Sequence, residues 1–260
     1  MSHSPRKRFG QNFLHDHNII QNILSSIQAS ANEHWVEIGP GQGALTEPLL
    51  KKDIQLDVVE LDRDLVVLLK RKFENNASLR IYSADALNFD FSSLAEDNEK
   101  LRILGNLPYN ISTPLMFHLL SYASLIKDMH FMLQKEVVDR ICADPGSKKY
   151  GKLSVMMQYY CDTELLFDVP PESFDPVPQV MSAIVRLVPH PKAPVQVNNL
   201  ATFNRLVTQS FSQRRKTLRN SLKKLISEDE FKTLNIDSSK RAEMLSLSDF
   251  ARLSNLLPDS

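Results

Sequence analysis

The fold of this chain is decided by one stretch of sequence, Trp35-Val36-Glu37-Ile38-Gly39-Pro40-Gly41-Gln42-Gly43. Its first four residues predict a buried strand, and the glycines let the backbone turn tightly into a helix that should reach Leu50. A strand that opens into a helix through such a turn is typical of nucleotide-binding α/β sheets, because the bare backbone can approach a ligand. The turn alone leaves the ligand open among NAD, FAD, S-adenosylmethionine and no ligand at all.

Two features of the turn favour S-adenosylmethionine over a dinucleotide. The glycines are spaced G-x-G-x-G, whereas dinucleotide sites carry G-x-G-x-x-G. Glu37 places an acid before the first glycine, where it would repel a pyrophosphate but not a cationic methionine amine. The turn is therefore predicted to bind S-adenosylmethionine.

Strands and helices alternate outward from this turn. The predicted strands are Trp35–Ile38, Gln55–Leu61, Leu79–Tyr82, Leu101–Gly105 and Asp128–Leu133, with Thr163–Phe167 and Met181–Val188 as a closing pair. The predicted helices are 16–30, Arg63–Phe73, Pro114–Tyr122, Val137–Ala143 and Leu153–Cys161. Such alternation predicts an α/β fold, a Rossmann-like parallel sheet with helices on both faces.

A proline-rich linker, Pro189-His190-Pro191-Lys192-Ala193-Pro194, divides the chain. Residues 1–190 are predicted to form an N-terminal arm, disordered over its first ten residues, and the Rossmann-like domain. Beyond the linker the apolar spacing is helical, so residues 191–260 are predicted to form a small all-helical domain.

Acidic residues stand at the ends of two further predicted strands. Glu60 ends the strand after the glycine turn, and an acid at about that distance binds ribose hydroxyls in nucleotide folds. Asp85 follows the next strand and could accept a hydrogen bond from an adenine amine. Either acid alone could be a solvated loop carboxylate. Together with Glu37 they meet where parallel sheets bind ligands, at the carboxyl ends of strands.

The loop Asn106-Leu107-Pro108-Tyr109 follows another predicted strand. An adenine amine is a poor nucleophile because its lone pair is delocalised into the ring. The Asn106 side-chain oxygen and a nearby carbonyl, such as that of Leu107, could hold both amine protons and localise that lone pair. Tyr109 could stack on the base. The alternative is a proline turn with no chemical role.

An aromatic residue, Phe174, lies in a loop that four prolines stiffen, Pro170-Pro171-Glu172-Ser173-Phe174-Asp175-Pro176-Val177-Pro178. A stiff loop can present a ring at little entropic cost, and a base between Tyr109 and Phe174 would be stacked on both faces. The alternative is a phenylalanine that fills the core beneath the loop.

A net charge of zero conceals basic ends and an acidic middle. Residues 1–10 carry Arg6, Lys7 and Arg8 with no acid, residues 11–179 carry 15 basic and 24 acidic side chains, and residues 180–260 carry 13 and 7. Arg215, Arg219 and Lys223 recur every four residues, which predicts one helix face with Lys216 beside it. No acid interrupts residues 201–227, so an RNA-binding face is favoured over a merely solvated one.

Several classes of protein are excluded by the composition. There is no run of about 18 apolar residues and no signal-peptide pattern, so a cytoplasmic protein without membrane contact is expected. The two cysteines, Cys142 and Cys161, are expected to be free thiols. The histidines show no metal-ligand spacing with them, and we predict no metal.

The chain resembles the KsgA/Dim family of small-subunit ribosomal RNA adenine dimethyltransferases over essentially its whole length. The matching motifs are Arg6–Leu14, Glu37–Gly41, Glu60–Asp62, Gly105–Ser112, Tyr150–Val155, Phe174–Pro178 and Gln213–Leu222. Any one of these motifs is weak, but their combination is highly specific.

The resemblance implies a class I methyltransferase fold with a small helical C-terminal domain. It implies transfer of four methyl groups to two adjacent adenosines in a hairpin loop near the 3′ end of 16S ribosomal RNA, in an immature small (30S) subunit. A monomeric protein that also serves subunit biogenesis is expected. S-adenosylmethionine would contact the residues that match the family's cofactor site, Asn12, Leu14, Gly39, Gly41, Glu60, Asp85 and Asn106. The loop Asn106–Tyr109 would hold the target amine, and Phe174 would pack on the target base.

Three other functions stay open on the sequence. An Erm-type large-subunit RNA adenine methyltransferase shares the fold and a similar loop, although the motifs Arg6–Leu14 and Gln213–Leu222 argue against it. The chain could act chiefly as an assembly factor, with methylation secondary. An NAD-dependent oxidoreductase would lack its usual glycine spacing.

Overall fold

The computed structural model describes residues 11–95, 99–108 and 110–258. Its strands are β1 (Phe13–Leu14), β2 (His34–Ile38), β3 (Gln55–Glu60), β4 (Leu79–Ser83), β5 (Leu101–Asn106), β6 (Ile126–Gln134), β7 (Cys161–Val169), β8 (Phe174–Asp175) and β9 (Ser182–Pro189). Its α-helices are α1 (His17–Ile27), α2 (Thr46–Leu49), α3 (Arg63–Lys72), α4 (Ser112–Leu120), α5 (Lys135–Ile141), α6 (Lys152–Tyr160), α7 (Leu200–Phe211), α8 (Leu218–Ser221), α9 (Glu228–Thr233) and α10 (Leu247–Ser254). Short 3-10 helices cover Leu50–Lys52, Phe91–Leu94, Ala123–Leu125, Pro171–Ser173 and Ala242–Met244.

The main sheet, within the described residues, has seven strands in the order β4-β3-β2-β5-β6-β9-β7. The five strands from β4 to β6 run parallel, and β2, at their centre, is buried along its whole length. This arrangement confirms the predicted α/β fold class. One detail differs, because β9 runs antiparallel to β6. In the sheet β9 lies between β6 and β7, and it follows β7 through a proline-rich loop that contains no α-helix to carry the chain back for parallel pairing.

Most predicted elements are present with ends shifted by one or two residues. The helix expected up to Leu50 is instead a short α-helix, Thr46–Leu49, continued by a 3-10 turn through Lys52. Cys161, predicted to end a helix, begins β7. These differences lie at element ends, where local sequence specifies structure least.

A small second sheet was not predicted. Strand β1 pairs antiparallel with β8, so that Phe13 lies opposite Asp175 and Leu14 opposite Phe174. The pairing continues through His15, whose N–H donates to the carbonyl of Ser173 at 3.0 Å. It fastens the start of the described chain to the proline-rich loop.

A buried ionic cluster anchors β5 at the end opposite its functional loop. Arg102 binds both carboxylate oxygens of Asp128 at 2.8 Å, the carboxylate of Glu33 at 2.7 Å and the carbonyl of Ile27 at 2.8 Å. Its guanidinium also lies 4.1 Å from the ring centroid of Trp35. Because every partner is buried or nearly so, the cluster fixes β5 against α1, β2 and β6.

The chain divides into two compact units. One comprises the residues up to Val138 together with Glu164–Pro189, and the other comprises Asp139–Thr163 together with the residues from His190 onward. The sequence boundary at residue 190 placed 139–163 in the first domain. The structure groups this segment with the C-terminal helices, because Tyr150 packs edge-on against Phe211 and Tyr159 packs at a tilt against Phe203, with ring centroids 6.2 and 5.2 Å apart.

The prediction that Arg215, Arg219 and Lys223 share one continuous helix is wrong. Helix α7 ends at Phe211, and only the four residues of α8 are helical in the region that follows. The backbone N–H groups of Leu218 and Arg219 donate to the carbonyls of Lys240 and Ser238, at 2.8 and 3.0 Å. Long-range hydrogen bonds here replace those that would have continued the helix.

Candidate active site

A cavity of about 350 Å³ opens at the carboxyl ends of β2, β3 and β5 in the first unit. Its size lies within the usual range for small-molecule sites. It is lined by predicted site residues from widely separated parts of the chain, namely Asn12, Gly39, Gly41, Glu60, Asp85, Asn106, Leu107 and Pro108. Parallel strands bring these residues together because their carboxyl ends share one edge of the sheet.

The backbone of the glycine turn is shaped so that a ligand or another part of the chain can approach it closely. Gly39, Gly41 and Gly43 all have positive φ, at 66°, 58° and 84°, a region that other residues rarely adopt. A Cβ at Gly41 would lie 3.0 Å from the ring of Phe13, so the arm packs directly on the turn. The predicted role of these glycines rests on this positive-φ backbone, which glycine adopts without strain.

Glu60 is fixed by the backbone around it. One carboxylate oxygen accepts from the N–H of Asp62 at 2.8 Å, and the other accepts from the N–H of Gly41 at 3.4 Å. Only 7% of Glu60 is exposed, and this burial raises the pKa of its carboxyl despite both hydrogen bonds. A fixed carboxylate at the cavity wall suits a ligand that carries hydroxyl groups.

Asp85 is held in a turn at the end of β4. Its two carboxylate oxygens accept from the backbone N–H of Leu87 and the side chain of Asn88, both at 3.0 Å. The residue lines the same cavity as Glu60. The structure therefore brings the two predicted acids together.

Glu37 lies deeper, against a smaller neighbouring cavity beside Gly39. It is 2% exposed and accepts a hydrogen bond of 2.6 Å from Thr46. Burial raises the pKa of Glu37 to about 7, and the charge of Glu60 acts in the same direction. Near neutral pH this carboxyl is poised between its two protonation states.

Asn106 ends β5 with its side chain at the cavity. Its Nδ2 donates to the carbonyl of Asn12 at 3.0 Å. The strand approaches β2 so closely that a Cβ at Gly105 would lie 2.7 Å from the carbonyl oxygen of Ile38. Only glycine fits at that position, and it delivers the next residue to the cavity rim.

The loop after Asn106 is tied down on both sides. The N–H of Leu107 donates to the carbonyl of Met132 at 3.2 Å, and Ile111 donates to the carbonyl of Pro108 at 3.1 Å as helix α4 begins. Leu107 is buried, while its neighbours line the cavity. Tyr109, predicted to stack on the base, lies outside the described residues.

Two predicted residues do not line the main cavity. Leu14 borders the smaller cavity beside Glu37. Phe174 is 1% exposed and packs in the core with Leu14, Ile20 and Val169, so in this conformation its ring is not presented to a ligand. Phe174 therefore fills the core beneath the loop, which was the alternative to stacking on the base.

Gln11 was missed by the sequence reasoning. Its side chain lines the cavity and donates to Asp62 at 3.1 Å. Its only signal in the sequence was its position next to Asn12. The predicted RNA-binding residues Arg6, Lys7 and Arg8 precede it and lie outside the described residues.

A C-terminal basic surface occupies the second unit. It consists of exposed side chains from two segments that backbone hydrogen bonds join, Arg214, Arg215, Lys216, Arg219 and Lys223 from one and Lys240 and Arg241 from the other. None of these seven cations forms an ion pair with a described residue. The four predicted cations Arg215, Lys216, Arg219 and Lys223 are thus brought together by a turn and a short helix.

The described residues contain neither a metal-binding cluster nor a membrane-spanning helix. In the described part of the chain, no three His, Cys, Asp or Glu side chains are grouped to hold a metal ion. No helix among these residues has the length and apolar character to cross a membrane.

Comparison with known proteins gives consistent matches. The family model described as "Ribosomal RNA adenine dimethylase" matches residues 2–259. The chain is also similar to two proteins named "Ribosomal RNA small subunit methyltransferase A". It is 53% identical to the one from Histophilus somni strain 2336, over 100% of this chain and 95% of that protein. It is 55% identical to the one from Pseudomonas putida, over 99% of this chain and 96% of that protein.

Two solved structures share the fold. A dimethyladenosine transferase from Plasmodium falciparum superposes with a TM-score of 0.79 at 26% identity, covering 93% of this chain and 95% of that one. The 23S rRNA methyltransferase ErmE superposes with a TM-score of 0.75 at 24% identity, covering 95% and 99%. The similarity extends over both units of the chain.

Proposed function

This chain belongs to the ribosomal RNA adenine dimethylase family, and on that premise we propose that it dimethylates two adjacent adenosines near the 3′ end of 16S ribosomal RNA. The observation that carries the proposal is the position of Asn106 at the rim of a cavity walled by Gly39, Glu60 and Asp85. A base held by the loop after β5 would meet a methyl donor bound in that cavity.

S-adenosylmethionine fits the residues of the cavity. Glu60 and Asp85 offer carboxylates for ribose hydroxyls and a base amine, and the positive-φ glycines admit the methionine part of the ligand to the turn. Leu61 lines the cavity with 49% of its surface exposed, an apolar side chain that a purine ring could cover. When bound, S-adenosylmethionine supplies an electrophilic methyl group on a sulfonium.

The protein's part in the reaction is to hold and orient the amine. The Oδ1 atom of Asn106 and the carbonyl of Leu107 or Pro108 accept hydrogen bonds from the two N6–H groups, which turns the nitrogen lone pair towards the methyl carbon. The N–C bond forms as the S–C bond breaks. The N6 atom becomes positively charged and acidic enough to release a proton to water, so no strong general base is required. Catalysis is therefore mostly positioning.

The pH dependence of cofactor binding should report on Glu37. The pKa of its carboxyl is about 7 in the folded protein and 4.5 in a solvated chain, so folding favours the protonated form. Its contribution to stability is full below pH 4.5 and is lost as the pH rises through 7. A methionine ammonium nearby would favour the carboxylate, so binding should release a proton and tighten between pH 6 and pH 8.

Calorimetry in buffers of different ionisation enthalpy measures this proton release directly. Glu37→Gln is the matched control, because it keeps the acceptor for Thr46 but cannot ionise. Wild-type affinity that stays constant from pH 6 to pH 8, or a variant that keeps the dependence, would remove Glu37 from the methionine site.

Small-subunit RNA is favoured over large-subunit RNA as the substrate. Relatives above 50% identity over nearly the whole chain carry a small-subunit name, whereas the large-subunit enzyme is 24% identical. The adenine-holding loop treats every adenine alike, so choice of RNA falls to the basic ends of the chain. We further propose that the protein acts as a cytoplasmic monomer on immature 30S subunits and contributes to their assembly.

Substrate choice tests this function. Purified protein should transfer labelled methyl from S-adenosylmethionine to small subunits that lack the modification, and nucleoside analysis should find N6,N6-dimethyladenosine at two neighbouring positions. Large subunits and already modified small subunits should take up almost no label. Efficient labelling of large-subunit RNA would transfer the assignment to the Erm-type activity and leave the fold unchanged.

Binding of RNA should depend on the C-terminal basic surface. Replacing Arg215, Arg219 and Lys223 together with glutamine should weaken RNA binding and lower the slope of log affinity against log salt by about one unit per lost phosphate contact. Cofactor affinity should not change. The matched control is the same substitution at Lys192, Arg205 and Lys232, and an equal salt slope in both triple variants would contradict the assignment.

A further inference from the structure

The amide of Asn106 has a polarity that the proposed reaction requires. A carboxamide presents an acceptor oxygen on one side and a donor NH2 on the other, and rotation by 180° about its last bond exchanges them. A target amine needs the oxygen. If the NH2 faced the amine instead, two donors would meet and the lone pair would not be localised. The orientation of this one bond therefore decides whether the loop can activate its substrate.

The observed orientation is set by the N-terminal arm. Nδ2 of Asn106 donates to the backbone carbonyl of Asn12 at 3.0 Å, which leaves Oδ1 on the side away from the arm. A backbone carbonyl can only accept a hydrogen bond, so it selects one of the two amide orientations. Among the described residues, no other group accepts a hydrogen bond from this NH2.

The arm is held on both sides of Asn12. On one side, Gln11 donates to Asp62 at 3.1 Å, and Asp62 is itself fixed by capping helix α3 through its other oxygen, at 3.0 Å from the N–H of Asp64. On the other side, β1 pairs with β8, and the hydroxyl of Ser173 donates to Asp16 at 3.2 Å. These anchors leave the Asn12 carbonyl little freedom to move.

We propose that the arm segment Gln11–Leu14 is a positioning element for catalysis, in which the Asn12 carbonyl sets the amide orientation of Asn106 and Gln11 holds that carbonyl in place. This proposal rests on the methyl-transfer function proposed above. Gln11 is a positioning residue and acts through Asn12. The same segment borders the cofactor cavity, so an arm that is displaced would leave both the cavity wall and the acceptor unformed.

The test compares full-length variants that loosen one anchor each. Gln11→Met keeps the length of the side chain and removes its hydrogen bond to Asp62. Gln21→Met makes the same change at an exposed position on α1 and is the matched control. Ser173→Ala loosens the second anchor without touching the cavity.

Two readouts separate positioning from a structural effect. In the wild type, nitrogen-15 NMR should show the Asn106 side-chain amide protons protected from exchange with water, and Gln11→Met should lower that protection. Its single-turnover rate at saturating cofactor and RNA should fall about three- to ten-fold, the value of one hydrogen bond, with the RNA affinity unchanged. Ser173→Ala should shift both readouts in the same direction, and Gln21→Met should alter neither.

Three outcomes would overturn the proposal. They are an unchanged amide signal with an unchanged rate in Gln11→Met, a lower rate with an unchanged amide signal, and an equal loss in Gln21→Met. A wild-type protein that transfers no methyl to small subunits would refute the proposed function instead. The NMR measurement would still test, independently of that function, whether the arm orients the Asn106 amide.

Discussion

Replacing Asn106 with alanine should lower the single-turnover rate of methyl transfer by about 10²- to 10³-fold, the usual effect of removing one preorganised polar group from a reacting centre. The substitution removes the side-chain acceptor that the last residue of β5 places at the cavity rim. The backbone around it should survive, because Leu107 and Met132 are joined through main-chain atoms. The measurement is the rate of label transfer to unmodified small subunits at saturating cofactor.

Asn75→Ala is the control for this experiment, since Asn75 is exposed and lies away from the cavity. It should transfer methyl at the wild-type rate. An Asn106→Ala protein that retains more than a third of the wild-type rate would show that the backbone carbonyls suffice to hold the amine.

Phe174→Ala should destabilise the protein by about 3–5 kcal/mol, because a large ring that is 1% exposed would leave a cavity in the core. Phe174→Leu keeps most of the volume and should cost less. Urea unfolding gives the two free energies. Methyl transfer is then measured for Phe174→Leu under conditions where it is fully folded.

Phe91→Leu makes the matched comparison, because Phe91 is also fully buried but belongs to an aromatic cluster with Phe89, His118 and Tyr122. A fully folded Phe174→Leu that loses turnover while Phe91→Leu keeps it would mean that the ring leaves the core and stacks on the target base. Equal turnover in the two variants would restrict Phe174 to the core and contradict the stacking prediction.

The residues that could be predicted from the sequence share one property. Gly39, Glu60, Asp85 and Asn106 each end or follow a strand of the parallel sheet, and the end of a parallel strand is both locally recognisable and the place where the sheet binds ligands. Their meeting around one cavity follows from the parallel direction of these strands, which the alternation of strands and helices already indicates. Local sequence was enough to predict these residues because a regular parallel sheet brings the ends of its strands to one edge.

The features that could not be predicted depend on long-range contacts. The pairing of β1 with β8 involves two strands of two residues each, too short for any period to be seen. The spacing of Arg215, Arg219 and Lys223 fits a helix, yet the hydrogen bonds from Leu218 and Arg219 to a distant segment end it. Phe174 lies in a loop that could present its ring or bury it, and only the neighbouring core residues decide between the two.

The pairing of β1 with β8 has a consequence for the order in which the molecule is completed during synthesis. Ser173 and Asp16 are separated by 157 positions, so the arm emerges from the ribosome long before the strand that fastens it. A nascent chain that ends before Asp175 can already contain the glycine turn, Glu60 and Asn106, but its arm has no partner strand. The methyltransferase should therefore stay inactive until about two thirds of its own chain has been translated.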